Sequence, residues 1–553
     1  MNKVDDWKTK VIYQIYPKSF KDSNHDGLGD LNGIISKIDY LSNLGINMIW
    51  LTPIFKSPNK DNGYDVADYL EIDPAFGTLE EFEKLVALGT ESNIGIMLDM
   101  VFNHTSDQHQ WFQQSLNRNP VYDDFYIWRD GVKGQLPSDE VAFFGGSVWE
   151  YSEKRQQYYY HSFDKSQPDL NWANPQVRKS LSEVVNYWIN KGIKGFRFDA
   201  IDNIGKVIGE KVTTDVNLTH QYLSELRANS FGKYSDVVTV GETGSADLAN
   251  AMRYTNPDTK ELDMIFQFEL MNLDGIRNGD WQQRPVDLLE YKRIVKKWQE
   301  GLSGKGWNSQ FFGNHDFPRI VSRFGSDASS DRILSSKMLA TLLFALQGTP
   351  YIYQGDEIGM TNYPWESFEQ FNDVESLNFI EIQKNKGLAE AEILERLKVN
   401  SRDNARTPMQ WSSDQFAGFS DVKPWLGENP NYHSINVAES TQDPNSIYNF
   451  YKKLIEYKKE FQVFSDGDYH DLLPEDENII AFKRENNQEV LTVICNWSNE
   501  KATIDLKSID LSFDKLLISN YQIEKDCLSF NQSVILRPFE AMILYKKKGE
   551  KHE

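Results

Sequence analysis

Apolar runs of strand length alternate with longer amphipathic stretches through the first two thirds of the chain. Eight such runs are predicted as strands, at residues 11–17, 48–53, 94–102, 193–199, 237–242, 264–269, 309–316 and 349–354. Segments with helical periodicity separate most of them, at residues 34–44, 78–87, 175–190, 218–226, 288–300 and 333–345. Regular alternation of this kind predicts an α/β fold, a (β/α)8 TIM barrel with the helices outside.

Two regions depart from this alternation. Residues 105–173 are aromatic, contain Gly and Pro, and lack a clear helical period, so we predict a small domain inserted after strand 3. After a helix at residues 447–458, short alternating runs at 479–483, 490–496 and 541–545 predict a C-terminal antiparallel β domain. The predicted domains are the barrel at 1–104 and 174–463, the inserted domain at 105–173, and the β domain at 464–553.

Composition restricts the class of partner. The chain has 553 residues, 40% of them hydrophobic and 25% charged, which are globular values. Its net charge of -23, without a basic run, argues against nucleic acid and membrane surfaces and favours a neutral or cationic ligand. No run is long enough to span a membrane, and residues 1–10 lack a signal-peptide pattern. Cys495 and Cys527 give neither a disulfide framework nor zinc spacing, so we expect a cytoplasmic protein. We also expect a monomer.

Polar side chains stand at the ends of several predicted strands. They are Asp99, Asn103, His104, Arg197, Asp199, Glu242, Asn314, His315 and Asp316. In a parallel barrel the carboxyl ends of the strands share one face, where active sites lie. Arg197 and Asp199 are two apart on a strand and point to the same side. Alone, such a pair is a structural ion pair and each histidine a hydrogen-bonded strand end, but together the residues predict one polar pocket.

Paired carboxylates without a transition-metal site fit the cleavage of a glycosidic bond. Asp199 beside Arg197 stays ionised by charge pairing and would attack, while Glu242 must hold a proton through burial and nearby negative charge. Asp316, with His104 and His315, would bind sugar hydroxyls. A serine-centred elbow, a phosphate loop and a cysteine cluster are all missing from the sequence.

Residues 22–30 have the spacing of a calcium loop. Oxygen-bearing side chains recur at every second position, with Gly27 at the sixth, while Gly33 stands at position twelve where a glutamate is expected. An acidic turn is the alternative. The predicted metal-binding residues are Asp22, Asn24, Asp26, Leu28 and Asp30.

These motifs resemble the alpha-amylase superfamily, glycoside hydrolase family thirteen, over nearly the whole chain. The matching stretches are residues 99–104 (DMVFNH), 167–171 (QPDLN), 195–199 (GFRFD), 241–242 (GE) and 314–316 (NHD). The resemblance implies a catalytic barrel, the inserted and C-terminal domains, and retention of anomeric configuration. It also implies Asp199 as nucleophile, Glu242 as acid/base and Asp316 as transition-state stabiliser.

Other stretches resemble the exo-acting group of oligo-1,6-glucosidases, dextran glucosidases, alpha-1,4-glucosidases and trehalose-6-phosphate hydrolases. They are residues 13–20 (YQIYPKSF), 61–65 (DNGYD), 348–362 (GTPYIYQGDEIGMTN) and 402–411 (RDNARTPMQW). In that group the residues matching Asp61 and Arg406 clasp the non-reducing end of the sugar, which gives exo action. The resemblance implies structural Ca2+ on the 22–30 loop, no organic cofactor, and a substrate-binding set of Asp61, Tyr64, His104, Phe144, Phe163, Gln167, Arg197, Ala200, His315 and Arg406.

Two positions depart from the group's pattern. Ala200 replaces the valine of the 1,6-acting and trehalose-phosphate members and resembles the 1,4-acting enzymes, and Gly244 replaces a tryptophan at the leaving-group side. Residues 206–218 lack the long acidic insertion of trehalose-6-phosphate hydrolases, although 98–104 and 321–325 look like that subgroup.

The predicted function is that of a retaining exo-acting alpha-glucosidase. It would release glucose from the non-reducing end of malto- or isomalto-oligosaccharides, with Ala200 favouring alpha-1,4 linkages. The alternatives are a trehalose-6-phosphate hydrolase, a sucrose isomerase and a non-catalytic amylase-like scaffold, the last disfavoured because all three catalytic carboxylates are present.

Overall fold

Eight parallel strands form the central sheet of the computed structural model, which describes residues 6–276, 279, 281–505, 509, 511–522 and 533–549. The strands are β1 Ile12–Ile15, β2 Met48–Leu51, β3 Gly95–Val101, β4 Gly195–Asp199, β5 Val238–Glu242, β6 Met264–Phe266, β7 Ser309–Gln310 and β8 Thr349–Tyr353. They pair in the order β6-β5-β4-β3-β2-β1-β8-β7, and a parallel bridge between Ile265 and Asn308 joins the two ends. The predicted TIM barrel is therefore confirmed.

The barrel strands are apolar on both faces. Trp50 packs inside the barrel with Met97 and Val240, whereas its neighbours Ile49 and Leu51 belong to the larger core beneath the helices. Strands buried on both sides read as continuous apolar runs, which is why the sequence revealed them. The inner face is apolar near the start of each strand and becomes charged at its carboxyl end.

The helices outside the barrel mostly follow the predicted order. They are Leu31–Ile35, Ile38–Leu44, Leu79–Glu91, Gln110–Leu116, Pro175–Asn190, Val216–Asn229, Leu248–Thr255, Leu288–Leu302, Ile320–Phe324, Arg332–Ala345, Val374–Asn385, Glu390–Asn400, Asp403–Arg406, Val437–Gln442, Ile447–Glu460 and Val463–Asp466. The helix predicted at 78–87 begins with a capping box, in which Thr78 and Glu81 bond each other's backbone.

Three details of the prediction are wrong. Residues 34–44 form two helices rather than one, because Lys37 leaves the helical conformation (φ -114°, ψ 7°). The strands predicted at 264–269 and 309–316 are shorter, at Met264–Phe266 and Ser309–Gln310, so the polar residues after them lie on loops.

The third error lies in the region after β8. Two helices that the sequence analysis does not predict, Val374–Asn385 and Glu390–Asn400, lie there, and residues 402–411 contain the short helix Asp403–Arg406. Their apolar residues are sparse in sequence and are buried in a separate cluster with Trp281 and Trp365.

The C-terminal region is antiparallel, as predicted, and the strands of the inserted region are antiparallel as well. After β3, the strands Trp128–Asp130 and Trp149–Ser152 both pair with Gln157–Tyr160. A C-terminal sheet has the order Asp468–Asp471, Ile479–Glu485, Glu489–Asn496, Ala541–Lys547, Lys515–Ser519, and Ala502–Asp505 pairs with Ser533–Leu536. Two short hairpins, Phe55–Lys56 with Asp68–Ile72 and Lys206–Ile208 with Val212–Thr214, project from the barrel. The predicted domain limits stay predictions.

Arg484 joins the C-terminal sheet to the barrel, and Lys458 is a second buried cation, within the barrel on the helix Ile447–Glu460. Arg484 donates from Nε to the carbonyl of Gly467 (2.8 Å) and from Nη1 to that of Ala345 (2.7 Å). Lys458 donates to the carbonyl of Gly348 (3.2 Å). Within the described residues neither cation is paired with a carboxylate.

No helix in the described parts of the chain combines the length and the apolar character needed to cross a membrane. Cys495 is buried and unpaired, and Cys527 lies outside the described residues.

Candidate active site

Arg197 draws three carboxylates together at the carboxyl ends of β3, β4 and β5. Its Nη1 donates to Asp99 Oδ1 (2.8 Å) and to Asp199 Oδ1 (2.7 Å), and its Nη2 lies 2.6 Å from Glu242 Oε2. The guanidinium is 1% exposed. Arg197 and Asp199 point to the same side because they are two apart on β4, as the period of a strand requires.

Burial shapes the proton affinities of these carboxylates. Burial, together with the charges of Asp199 and Asp316, raises the pKa of Glu242 to about 8 against the lowering effect of Arg197. Burial also raises the pKa of Asp199 to about 7, although Arg197 opposes the shift. Because the two carboxyl groups share one site, the first proton that binds as the pH falls goes to Glu242, the group with the higher pKa. Glu242 therefore keeps its proton to a higher pH than Asp199, which is the order that the sequence predicts, although burial raises the pKa of Asp199 where charge pairing with Arg197 was expected to keep it low.

Asp316 lies on the loop after β7, facing two arginines. Its Oδ1 accepts from Arg406 Nη2 (2.9 Å) and from Arg402 Nη1 (3.2 Å). Arg402 also reaches Asp61 (3.1 Å) and Asp373 (2.5 Å). The resemblance made Asp61 and Arg406 the two sides of a clasp, but in the structure Arg402 binds Asp61 directly.

Arg402 and Asp373 are the residues that the sequence analysis missed. Burial raises the pKa of Asp373, but Arg402 and Arg406 overcome this and lower it to about 2, so the carboxylate is ionised. The spacing of Arg402 and Arg406, four apart in RDNAR, is a signal for one helix face that could have been used. Asp373 gives no local signal beyond its place as N-cap of Val374–Asn385.

His315 presents a donor to the pocket. Its ring stacks on Tyr64 (centroids 5.2 Å apart), and Gln14 Nε2 donates to its Nδ1 (2.8 Å). The proton of the neutral ring therefore sits on Nε2, which has no hydrogen-bond partner in the described protein and lies 3.1 Å from Asp316 Oδ2. Burial lowers the pKa of His315 to about 3, so the ring is uncharged.

His104 and Gln167 build the wall beside Asp61. His104 Nε2 donates to the carbonyl of Tyr64 (3.0 Å), and Asn103 Nδ2 donates to His104 Nδ1 (3.1 Å). Gln167, from the inserted domain, donates to Asp61 Oδ2 (3.0 Å). Both ring nitrogens of His104 thus bind protein, whereas the sequence analysis expected them to face sugar hydroxyls.

Aromatic rings close the side of the pocket that the inserted domain contributes. Arg402 lies over the ring of Phe144 (4.9 Å), and Phe163 contacts both Phe144 (5.5 Å) and His104 (5.2 Å). Asn378 Nδ2 donates to the carbonyl of Phe144 (3.2 Å), which ties this segment to the helix after β8. The structure therefore places the predicted Phe144 and Phe163 at the pocket.

Ala200 turns the chain directly after Asp199. Its backbone is left-handed (φ 42°, ψ 37°), a conformation that residues with a Cβ rarely adopt. The turn aims its N–H at Glu242 Oε2 (3.0 Å). The N–H of Ala200 thus links the end of β4, which carries Asp199, to the side chain of Glu242.

The predicted calcium loop is closed by its own hydrogen bonds. Asp22 accepts from the N–H groups of Asn24, His25 and Gly27 (2.8–3.0 Å), and Asn24 donates to Asp26 (3.1 Å).

Asp30 accepts from the N–H and hydroxyl of Ser23 (2.7 and 2.6 Å) and caps the next helix through Gly33. The side chains of Asp22, Asn24, Asp26 and Asp30 offer hard oxygen atoms, which suit Ca2+. The described residues contain no group of three or more His, Cys, Asp or Glu side chains already arranged around a metal position.

A separate concavity of about 1320 Å³ lies at the opposite, amino-terminal end of the barrel, where Trp7, Lys194 and Thr239 line it. None of the residues converging on Arg197 lines this concavity. The polar pocket and this concavity are therefore separate features.

Comparison with known proteins finds one matching family and similar proteins that are covered over nearly their full length. The alpha-amylase catalytic-domain family matches residues 14–467. The chain is 44% identical over 558 residues to an oligo-1,6-glucosidase from Bacillus cereus (98% of this chain, 99% of the relative). It is 41% identical over 555 residues to an alpha-glucosidase from Pediococcus pentosaceus (97% and 98%). The crystal structure of trehalose-6-phosphate hydrolase from Bacillus licheniformis superposes with a TM-score of 0.91 at 42% identity, covering 98% of this chain and 100% of that one.

Proposed function

This chain belongs to the alpha-amylase family, and we propose that it is a retaining exo-acting alpha-glucosidase that releases glucose from the non-reducing end of short alpha-glucosides. The observation that carries the proposal is the pairing of Asp199 and Glu242 with Arg197, and of Asp316 with Arg402 and Arg406, in a pocket bounded by Asp61 and Arg402. Relatives that cover nearly its full length are named as glycosidases.

In the first step, Glu242 gives its proton to the glycosidic oxygen while Asp199 attacks the anomeric carbon. The bond to the leaving group breaks, the leaving group departs as an alcohol, and glucose is held as an ester of Asp199. The raised pKa of Glu242, about 8, keeps this proton available at neutral pH.

In the second step, the carboxylate of Glu242 takes a proton from water, and the oxygen of that water attacks the anomeric carbon. Glucose leaves with its original anomeric configuration, and Asp199 and Glu242 return to their starting forms. Asp316 accepts from the sugar hydroxyls and His315 Nε2 donates to them, which holds the ring in place while positive charge develops.

Exo action follows from the wall of Asp61, Arg402 and Gln167. These side chains bond one another, which leaves room for a terminal sugar and none for a continuing chain on that side. The methyl side chain of Ala200 is the feature that favours alpha-1,4 over alpha-1,6 linkages, as the sequence comparison within the exo-acting group suggests.

A trehalose-6-phosphate hydrolase is the second candidate, and the cations around the pocket disfavour it. In the described residues, Arg197, Arg402 and Arg406 each bind carboxylates, and Lys206 binds Asp169 (3.0 Å). A phosphate would have to compete with these pairs for a counter-charge.

The deciding experiment measures the products formed from maltose, isomaltose, trehalose 6-phosphate and sucrose. We expect glucose from maltose, less from isomaltose, and no rearranged disaccharide from sucrose. Cleavage of trehalose 6-phosphate alone would establish the second candidate, and a rearranged disaccharide from sucrose would establish an isomerase. Absence of any turnover would favour a scaffold protein.

A structural Ca2+ belongs to the proposal. Asp22, Asn24, Asp26 and Asp30 would hold it through side-chain oxygens, with the carbonyl of Leu28 between them, and would stabilise the turn before the first barrel helix. The oxygen atoms of these four side chains support this assignment.

We also propose that the enzyme works as a cytoplasmic monomer without an organic cofactor. The buried, unpaired thiol of Cys495 is compatible with a reducing compartment. Light scattering during size-exclusion chromatography measures the oligomeric state, and a mass twice that of one chain would contradict the monomer.

A further inference from the structure

The concavity of about 1320 Å³ at the amino-terminal end of the barrel is lined mainly by cations. It lies at the start of five barrel strands, and the residues directly before those strands line it: Asn47, Ile94, Lys194, Val237 and Asp263. Seven lysine and arginine residues line the concavity against three carboxylates, although the whole chain has a net charge of -23. A concave surface with an excess of one charge concentrates ligands of the opposite charge.

The three carboxylates of the lining already have partners in the protein. Each lies within 2.6 Å of a basic side chain. The pairs are Asp236 with Lys194 (2.5 Å), Asp263 with Lys260 (2.6 Å) and Glu261 with His220 (2.6 Å). The carboxylates are therefore compensated locally, and the excess positive charge of the lining belongs to the other cations.

Two of those cations bind backbone carbonyls instead of carboxylates. Arg227 donates from Nε to the carbonyl of Lys260 (2.7 Å), and Lys459 donates to the carbonyl of Gly45 (2.5 Å). In the part of the chain that the structure describes, neither Arg227 nor Lys459 forms an ion pair. A carbonyl carries no net charge, so both cations can still bind an anion through charge-assisted hydrogen bonds.

Short contacts join three cations from separate segments into one group. Lys8 Nζ lies 5.4 Å from the ring centre of Trp7 and 5.3 Å from that of Trp307. Lys260 Nζ lies 5.3 Å from the same ring of Trp7, and Arg227 bonds the carbonyl of Lys260. We call Lys8, Arg227 and Lys260 the cation group. Its members surround one part of the concavity and are not scattered over the surface.

Uncharged polar side chains also line the concavity. Eight of them belong to serine, threonine or asparagine, among them Ser42, Ser92, Asn93 and Ser235. Hydroxyl and amide groups donate to and accept from the hydroxyls of a polar ligand. A ligand that matches the whole lining therefore carries both an anionic group and several hydroxyls.

We propose that this concavity binds a phosphorylated sugar, with the phosphate on the cation group and the sugar hydroxyls on the neutral polar side chains. Arg227 is the main phosphate ligand, because the fork of N–H donors on a guanidinium matches the oxygen atoms of a phosphate. A phosphate monoester brings up to two negative charges to the excess of cations, whereas a neutral sugar brings none.

The ligand of this concavity is distinct from the substrate. β4 and β5 begin at the concavity, and Asp199 and Glu242 stand at their opposite ends. A strand of five residues spans about 13 Å, so a molecule in the concavity cannot touch the reacting carboxylates. The inference therefore goes beyond the proposed function and does not depend on it.

Isothermal titration calorimetry of the full chain with glucose 6-phosphate tests the proposal. We expect saturable binding that is at least about tenfold tighter than the binding of inorganic phosphate, and that weakens as KCl is added. Arg227→Met should weaken the binding about tenfold or more, because it removes hydrogen bonds to a charged group. Lys8→Met, in a different segment, should weaken it about threefold or more.

Lys179→Met is the matched control. It also removes one positive charge, but Lys179 lies on the helix Pro175–Asn190, outside the concavity, beside Glu183 (3.8 Å). The dissociation constant should stay within twofold of the parent value. Arg227→Lys keeps the charge without the fork of donors and should lose less affinity than Arg227→Met. The melting temperature reports whether each variant folds.

The proposal is overturned if the parent protein shows no saturable binding of glucose 6-phosphate. Binding that Arg227→Met and Lys8→Met leave unchanged also overturns it, since the ligand then lies elsewhere, for example in the polar pocket at the other end of the barrel. Equal affinities for inorganic phosphate and glucose 6-phosphate would overturn the assignment of a sugar. Failure of the proposed function has a different signature, namely no glucose from maltose.

Discussion

The pocket and the interface with the C-terminal sheet both bury positive charge, but they compensate it differently. Arg197, Arg402 and Arg406 each bind carboxylates, whereas Arg484 and Lys458 bind only backbone carbonyls in the described protein. Burying a charge is costly in either place and must be offset by bonds of good geometry.

The difference shows what each region is built to do. At the interface, burial lowers the pKa of Lys458 to about 7 and that of Arg484 to about 9, so the lysine can become neutral. Ala345 ends its helix, and the helix dipole favours the guanidinium of Arg484 there. In the pocket the cations stay charged and the carboxylates carry the adjustable protons. The interface holds two domains together, while the pocket holds a proton where a reaction needs it.

Removal of the nucleophile Asp199 should have the largest effect on activity of the changes considered in the pocket and at the interface. We expect Asp199→Asn to lower kcat on nitrophenyl alpha-glucoside by at least about 10⁴-fold, because an amide cannot form the glycosyl ester. Asp258→Asn, at an exposed position, is the control and should retain full activity. Residual activity above a hundredth of the parent value in Asp199→Asn would contradict the assignment.

Glu242→Gln should have the next largest effect and should change the pH profile. Loss of the acid lowers kcat/KM on maltose by about 10²- to 10⁴-fold. In the parent enzyme, activity falls above about pH 8 as Glu242 loses its proton and falls below about pH 7 as Asp199 gains one.

Profiles measured from pH 5 to 10 should show the alkaline fall in the parent and not in Glu242→Gln. A parent enzyme whose rate stays constant up to pH 10 would show that Glu242 does not supply the proton.

Asp373→Asn tests the arginine pair. The asparagine can still cap the helix Val374–Asn385, so the change isolates the charge. Without the negative charge of Asp373, the buried cations Arg402 and Arg406 lose one of their carboxylate partners. The free energy of unfolding should therefore fall by about 3 kcal/mol.

We expect KM for maltose to rise about tenfold as Arg402 shifts away from Asp61. The measurements are steady-state kinetics and chemical denaturation. Wild-type KM together with wild-type stability would show that Asp373 does not organise the arginines.

In the described structure, the carboxylates of the loop at residues 22–30 accept hydrogen bonds from backbone N–H groups, hydroxyls and an amide, and not from a lysine or an arginine. Removal of Ca2+ by a chelator should lower the melting temperature by about 2 to 5 °C, while kcat at 25 °C changes little. Asp26→Asn should remove most of this calcium response. Equal melting curves with and without calcium would contradict the proposed site.

Lys458→Met should have the smallest effect on activity, with kcat/KM within twofold of the parent. Its effect on stability depends on pH. The unfolded chain binds a proton on this lysine up to its ordinary pKa, the folded chain only up to about 7, so stability of the parent rises as pH increases between these values. Denaturation at pH 6.5 and 9.5 should show Lys458→Met relatively more stable at the lower pH. The opposite order would mean that Lys458 has an anionic partner.

Much of the barrel could be predicted because burial on both faces turns each parallel strand into an apolar run. The carboxylates of the pocket could be predicted because they follow those runs directly. Residues 195–199 and 241–242 are examples in which strand, turn and reactive group are adjacent in sequence.

The remaining parts of the site depend on contacts between distant residues. Gln14 fixes the tautomer of His315 across 301 residues, and Asp373 joins arginines on a helix that the sequence pattern did not reveal. That helix and its two predecessors bury few apolar residues, so their periodicity is weak. Which arginine meets Asp61 is decided by this packing and could not be read from the order of residues.

The left-handed turn at Ala200 has a consequence for how this enzyme can evolve. A valine here would add a branched side chain to a backbone conformation that already disfavours a Cβ, while its N–H must still reach Glu242. Under the role in linkage preference proposed for residue 200, selection on that preference would act on folding stability at the same time. A lineage that exchanged one linkage for another through this residue would need a reserve of stability elsewhere in the chain before the exchange.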